Sequence, residues 1–114
     1  MATIYQWSLV IYSTGGVRIT HKEKEAKETA KQYRALEGYF SNYTKVISKD
    51  ALNTVVSNGV FPTYSSLEPN EEIAIAKLAE WYEDFVKDKI ASIEAEISDY
   101  QTNLKQVLAL ANDK

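Results

Sequence analysis

The chain contains no cysteine, one histidine, four glycines and two prolines in 114 residues, and each scarcity removes a class of answer. Without cysteine there is neither a disulfide framework nor a thiolate metal site, which fits a reducing compartment. With His21 alone, the ligand spacings of zinc sites are missing, the lack of cysteine removes a Cys/His nucleophile pair, and no motif proposes a Ser/His pair. Gly15-Gly16 lacks the spaced glycines and the lysine of a phosphate loop or dinucleotide fingerprint. Carboxylates such as Glu80 and Asp84 have Lys77 and Lys87 as neighbours, as on a solvated helical face. The expectation is a protein that is not an enzyme and uses no metal and no cofactor. No run approaches the roughly 18 apolar residues of a membrane span. The stretch MATIYQWSLVIYSTGG has neither the basic region nor the long apolar core of a signal peptide. A cytoplasmic location without membrane contact is therefore expected.

Glycine and proline are also absent from the whole of Glu71 to Ala111. Asn70 is a suitable helix cap, and Glu71 and Glu72 sit where the helix dipole favours acids. As one helix the stretch would be about 60 Å long, whereas a compact body of this size spans about 35 Å. Its apolar residues change character on the way. From Ile73 to Val86 they cover a wide arc through Leu78, Trp81, Tyr82 and Phe85, as expected of a helix packed on a sheet. Then Val86, Ile90, Ile93, Ile97, Tyr100, Leu104, Val107 and Ala111 follow at alternating spacings of four and three, a narrow seam that calls for another helix. The face widens again at Leu108 and Leu110. The expectation is a homo-oligomer interface of Val86, Ile90, Ile93, Ile97, Tyr100, Leu104, Val107 and Leu108. β-Branched residues at both seam positions argue against a simple parallel dimer. In an antiparallel pair the wide tip meets the partner near Trp81 and Phe85. A turn at the weak helix formers Ser98 to Asn103 would instead fold the tip back, although the seam passes through them in phase.

Earlier in the chain, Ile4 to Tyr12 is apolar on both alternating faces at its far end, which predicts a central strand. Ser13-Thr14-Gly15-Gly16 then turns it into Val17-Arg18-Ile19-Thr20. A three-residue loop with Gly16 as the bulge pairs Ile11 with Ile19 and places Trp7, Leu9, Ile11, Val17 and Ile19 on one face. A two-residue Gly15-Gly16 turn would mix the faces. Thr20 and Glu23 form a capping box, and Gly38 stands where a helix terminator belongs. Between them the good helix formers KEKEAKETAKQYRALE predict a short helix over Lys22 to Glu37, with Ala26, Ala30, Tyr33 and Leu36 on its apolar face. Tyr39 to Ser48 reads as a returning strand. From Asp50 to Tyr64 a hairpin turning at Asn58-Gly59, with Pro62 at its edge, competes with a short helix capped by Ser48. Ser65 to Pro69 reads as loop.

The resulting expectation is a single α+β domain over residues 1–114. Its small antiparallel sheet is packed by one short helix and one long C-terminal helix, and residues 86–111 extend into the helix–helix interface. Net charge is -3, with eight Lys/Arg against four Glu in residues 1–49, and five Lys against twelve Asp/Glu in residues 50–114. Such asymmetry fits two solvated faces, head-to-tail association of copies, or an anionic ligand on the basic half. Arg18, His21, Lys22 and Lys45 are candidate anion-binding residues, with Lys24 and Lys49 in elements that can converge on them. Overall acidity argues against nucleic acid.

The leading reading is a non-enzymatic, homo-oligomeric interaction protein whose partners are further copies of itself and a host macromolecule that it blocks. Small cysteine-free chains without familiar motifs are common among phage accessory proteins, including inhibitors of host defence, and this chain resembles them in style only. The alternative is a protein that binds or sequesters a small anionic ligand such as a nucleotide on the basic N-terminal half.

Overall fold

The computed structural model describes residues 1–57 and 61–113. The chain is α+β and divides into two compact units, Met1–Trp81 and Tyr82–Lys114. The first unit holds strands β1 (Ala2–Ile11), β2 (Val17–Glu28), β3 (Gln32–Ala35), β4 (Val46–Ser48), β5 (Val55–Val56) and β6 (Thr63–Ser66). They form one antiparallel sheet in the order β4-β3-β2-β1-β6-β5. The helix α1 runs unbroken from Glu71 to Asn112.

β1 is a central strand, paired with β2 on one side and β6 on the other. Its turn differs from the expected one by two residues. Ile11 faces Val17 and Leu9 faces Ile19, and the loop closes through Tyr12 N to Gly16 O (3.1 Å) and Gly15 N to Tyr12 O (3.0 Å). The three loop residues are thus Ser13, Thr14 and Gly15, with both glycines at positive φ (Gly15 +96°, Gly16 +97°). A shift of two positions preserves the side-chain alternation, so Trp7, Leu9, Ile11, Val17 and Ile19 still share a face.

The short helix expected over 22–37 is absent. Residues 17–28 are instead the long strand β2, and Thr29 closes a tight turn into β3 by donating its N–H to Gln32 O (2.8 Å) while Oγ1 accepts from Gln32 N (3.2 Å). Good helix formers lose here because a short isolated helix is marginal in water. β1, by contrast, offers ten residues of backbone partners. Of the expected apolar helix face, Ala26 and Tyr33 are buried with strand spacing in a cluster with Ile4, Phe40 and Ile47, while Ala30 lies in the turn and Leu36 is exposed. Burying each large member of this cluster contributes about 1.5–3 kcal/mol. Gly38 does take a left-handed conformation (φ +64°), but beyond a strand rather than a helix.

The expected strand over Tyr39 to Ser48 shrinks to β4, preceded by a 3-10 turn at Ser41–Tyr43. Both readings of the next stretch hold in part. Ser48 Oγ accepts from Asp50 N at 3.3 Å and caps a 3-10 turn over Lys49–Ala51, and β5 pairs antiparallel with β6. The expected turn at Asn58-Gly59 lies outside the described residues. Pro62 is buried beside β1 rather than at the sheet's edge, its carbonyl accepting from Leu9 N at 2.9 Å. Ser65 and Ser66, expected in a loop, belong to β6, which is buried at all four positions.

By alternation Trp7, Leu9 and Tyr64 lie on the face opposite Ile4 and are buried there. The first turns of α1, in the same compact unit, bury Ala74 (0% exposed) and Leu78 (1%) four residues apart. Asn70 caps the helix as expected, Oδ1 accepting from Ile73 N at 3.2 Å. The unbroken helix through 98–103 excludes a turn at that point.

Candidate functional site

β2 sorts its charges by face. In a strand successive side chains point to opposite sides, so the alternation from Lys22 to Glu25 separates ammonium from carboxylate. Arg18, Thr20, Lys22 and Lys24 share the face of Ile4, Gln6 and Ser8, while His21, Glu23 and Glu25 share the face of Tyr5 and Trp7. Among the described residues neither Lys22 nor Lys24 is ion-paired.

The face that carries the lysines changes character along β1. Ile4 joins the apolar cluster, but Gln6 and Ser8 extend a buried polar ladder across to β6. Gln6 Nε2 donates to Ser65 Oγ at 3.0 Å, Ser8 Oγ and Thr63 Oγ1 share a hydrogen bond of 2.8 Å, and Ser41 N donates to Gln6 Oε1 at 2.9 Å. Among the described residues no buried side-chain polar atom lacks a partner, which is what keeps such an interior tolerable.

The segment after Gly38 lies over this polar face. Phe40 N donates to Thr44 O at 2.7 Å, closing a loop in which Asn42 (φ 64°) and Tyr43 (φ 60°) are both left-handed. Asparagine adopts this conformation more readily than most residues, whereas for Tyr43 it costs roughly 1–2 kcal/mol. The side chain of Asn42 holds the loop in place by bonding the backbone of Phe61 and Oγ1 of Thr63. Between the loop and β2 lies an open cleft of about 350 Å³, lined by Lys22, Lys24, Tyr39, Asn42, Tyr43 and Phe61 over the hydroxyls of Ser8 and Thr20. A smaller cavity of about 230 Å³ opens beside Gln6, Ser41 and Asn42 toward Ser48 and Val56. Gly38, held at φ +64°, passes close to the Lys24 ammonium, a Cβ there lying 3.0 Å from its Nζ. Chemically the cleft offers two cations, the hydroxyl of Thr20 and aromatic surface, the Asn42 amide and the Ser8 hydroxyl being engaged by Phe61 and Thr63. Among the described residues no group of three metal-ligating side chains is present, and no helix is long and apolar enough to cross a membrane.

The four candidate anion-binding residues are not brought together. Lys22 lines the cleft, and Lys45 stands over the Tyr39 ring at 5.2 Å. Arg18 is on the same face but outside the cleft lining. His21 is on the opposite face, its ring stacked on Trp7 (centroids 5.0 Å) and on Tyr5 (6.5 Å). Lys49 is engaged elsewhere, donating to Glu28 Oε2 at 2.6 Å beneath its contact with the Tyr33 ring. That hydrogen bond, with the attraction of the two charges, lowers the Glu28 pKa and raises that of Lys49. Sequence reasoning missed Tyr39, Asn42, Tyr43 and Phe61 as cleft residues, and Lys24 entered it only as a member of a diffuse basic group.

In the second unit the seam residues Ile90, Ile93, Ile97, Tyr100, Leu104, Val107 and Leu108 are all exposed, and Val86 is half-buried. The helix surface between them is pinned by local pairs, Lys87 with Glu83 (3.1 Å) and Tyr100 Oη donating to Glu96 (3.3 Å). Comparison of the chain with protein families, curated proteins and solved structures found no match.

Proposed function

We propose that this chain is a non-enzymatic interaction protein that works as a homo-oligomer, assembled through the second half of α1. The observation that carries the reading is the unbroken helix whose isoleucines recur at spacings of four and three and remain in water, with Ile97 49% exposed. Contiguous apolar strips of this kind mark interaction surfaces. In heptad terms Ile90, Ile97 and Leu104 occupy a, and Ile93, Tyr100 and Val107 occupy d. Isoleucine at both positions favours three or four strands over two. Lys89 falls at g and Glu94 at the next e, the pair of positions that meet between neighbouring helices in a parallel assembly. This supports a parallel arrangement over the antiparallel one. A blocking role toward a host macromolecule belongs to the same proposal, because an assembly presents each of its surfaces in several copies and gains avidity.

Light scattering behind size exclusion tests the reading. The wild type should exceed the mass of one chain, and Ile97→Asp should lower the assembly state by placing an unpaired charge in the seam. A monomeric wild type at tens of micromolar, with its helix intact by circular dichroism, overturns it.

A further inference from the structure

Beyond self-assembly, we propose that the cleft between β2 and the loop 39–44 binds a mononucleotide-sized phosphate ester that carries an aromatic ring. Lys22 and Lys24 leave β2 on one face from Cα atoms about 7 Å apart, and their flexible stems let both ammonium groups reach one phosphate. Strand alternation sends Glu23 and Glu25 to the other face, so the carboxylates nearest in sequence do not neutralise them. A dianionic phosphate supplies the counter-charge that these two lysines lack among the described residues. The hydroxyl of Thr20 lines the same cavity and adds a neutral hydrogen bond of the sort that orients a ligand, whereas Asn42 and Ser8, bonded to Phe61 and Thr63, shape the wall.

The other wall is aromatic. Tyr39 and Tyr43 stand edge to face at 6.5 Å, and Tyr43 is 81% exposed. An exposed ring on a left-handed backbone position is not there for the core. Its loop is held in that conformation by the bonds of Asn42 to Phe61 and Thr63, and strained backbone of this kind concentrates at ligand sites. A planar ring laid on Tyr43 keeps its own apolar faces out of water while the phosphate stays on the lysines. The volume, about 350 Å³, is at the lower end of small-ligand sites, which run from about 300 to 1,000 Å³. A cleft of this volume takes one nucleotide unit rather than several of a longer polyanion.

Calorimetric titration of the full chain with adenosine 5′-monophosphate, adenosine, inorganic phosphate and a short oligothymidylate tests the assignment. The monophosphate should bind at least about tenfold more tightly than adenosine or phosphate alone, since each half supplies only part of the interaction. Lys22→Ala combined with Lys24→Ala should weaken the monophosphate by about tenfold or more and leave adenosine unchanged. Tyr43→Ala should weaken adenosine and monophosphate alike. Both variants should keep the wild-type circular dichroism, because the replaced side chains are outside the buried cluster. Ile97→Asp should bind as the wild type does, which separates this site from the assembly. Monophosphate binding no tighter than phosphate overturns the proposal, as does its absence at about 1 mM or its survival in the double lysine variant. Oligothymidylate binding more tightly than the monophosphate overturns it too and reassigns the cleft to single-stranded nucleic acid.

Discussion

Asn42 grips Phe61 with both atoms of its amide, Nδ2 donating to Phe61 O at 3.0 Å and Oδ1 accepting from Phe61 N at 3.3 Å. The grip joins two segments that no strand ladder connects among the described residues, and it is made from a left-handed residue. Asn42→Ala removes the hydrogen bonds and puts a residue less tolerant of positive φ in its place, so it should destabilise by about 1–2 kcal/mol. Asn42→Gly relieves the strain and should cost less. Urea unfolding of the two variants checks the order, and a more stable alanine variant refutes the clamp.

Gly15 and Gly16 both sit at positive φ, and among the described residues nothing lies within 4 Å of an added Cβ. Any penalty there is conformational rather than steric crowding by neighbours. Gly15→Val and Gly16→Val should each lower stability by about 1–2 kcal/mol or more, and asparagine at either site should be tolerated better. Thermal melts that leave both valine variants unchanged would refute this turn.

The pair of Glu28 and Lys49 makes stability depend on pH at both ends of the scale. The folded Glu28 carboxyl is more acidic than its ordinary value of 4.5, so its contribution is present above that pH and is lost as pH falls through the lowered value. Lys49 is raised above 10.5, so its contribution is present below that pH and disappears as pH rises through the raised value. Glu28→Gln should flatten the acid limb of a stability profile while changing neutral stability little, since the pair is exposed. A carboxyl of Glu28 that titrates at or above its ordinary value by NMR contradicts the pairing.

Charge reversal tests the helix orientation in the proposed assembly. Lys89→Glu should shift the oligomer toward smaller species, and adding Glu94→Lys should restore it, because the swapped pair recovers opposite signs across a parallel interface at about 0.2–1 kcal/mol per contact. Analytical ultracentrifugation reads both. Failure of the second change to rescue the first argues for a different helix arrangement.

The parts of the fold legible in the sequence are those where pattern and propensity agree. β1 declares itself by apolar residues on both faces, and α1 by Asn70 and by the lack of breakers after it. β2 does not, because Lys, Glu and Ala favour a helix and the capping box at Thr20 points the same way. The opposing signal is the strict alternation Lys22, Glu23, Lys24, Glu25, a period of two in charge rather than in hydrophobicity. β6 was hidden for another reason. Thr63, Ser65 and Ser66 are buried polar residues satisfied by Gln6 and Ser8 from β1 and by local turns, and serine-rich segments ordinarily read as loop. The cleft follows from both misses. Lys22 is visible as a basic residue, but that it shares a wall with Lys24 and faces Tyr39 and Tyr43 depends on β2 being a strand and on a loop held by a left-handed Asn42.

β2 is also longer than its outer neighbour. β3 covers it only at Ala26–Glu28, and among the described residues no strand pairs with positions 17–24 on the side away from β1. That leaves an open row of peptide groups, the kind of edge onto which a foreign strand can add. The alternating lysines and glutamates defend it, because an incoming strand must bring complementary charges on both of its faces, in the right order, to dock without repulsion. The residues that make this segment look helical are therefore also the ones that raise the cost of adding a foreign strand to it.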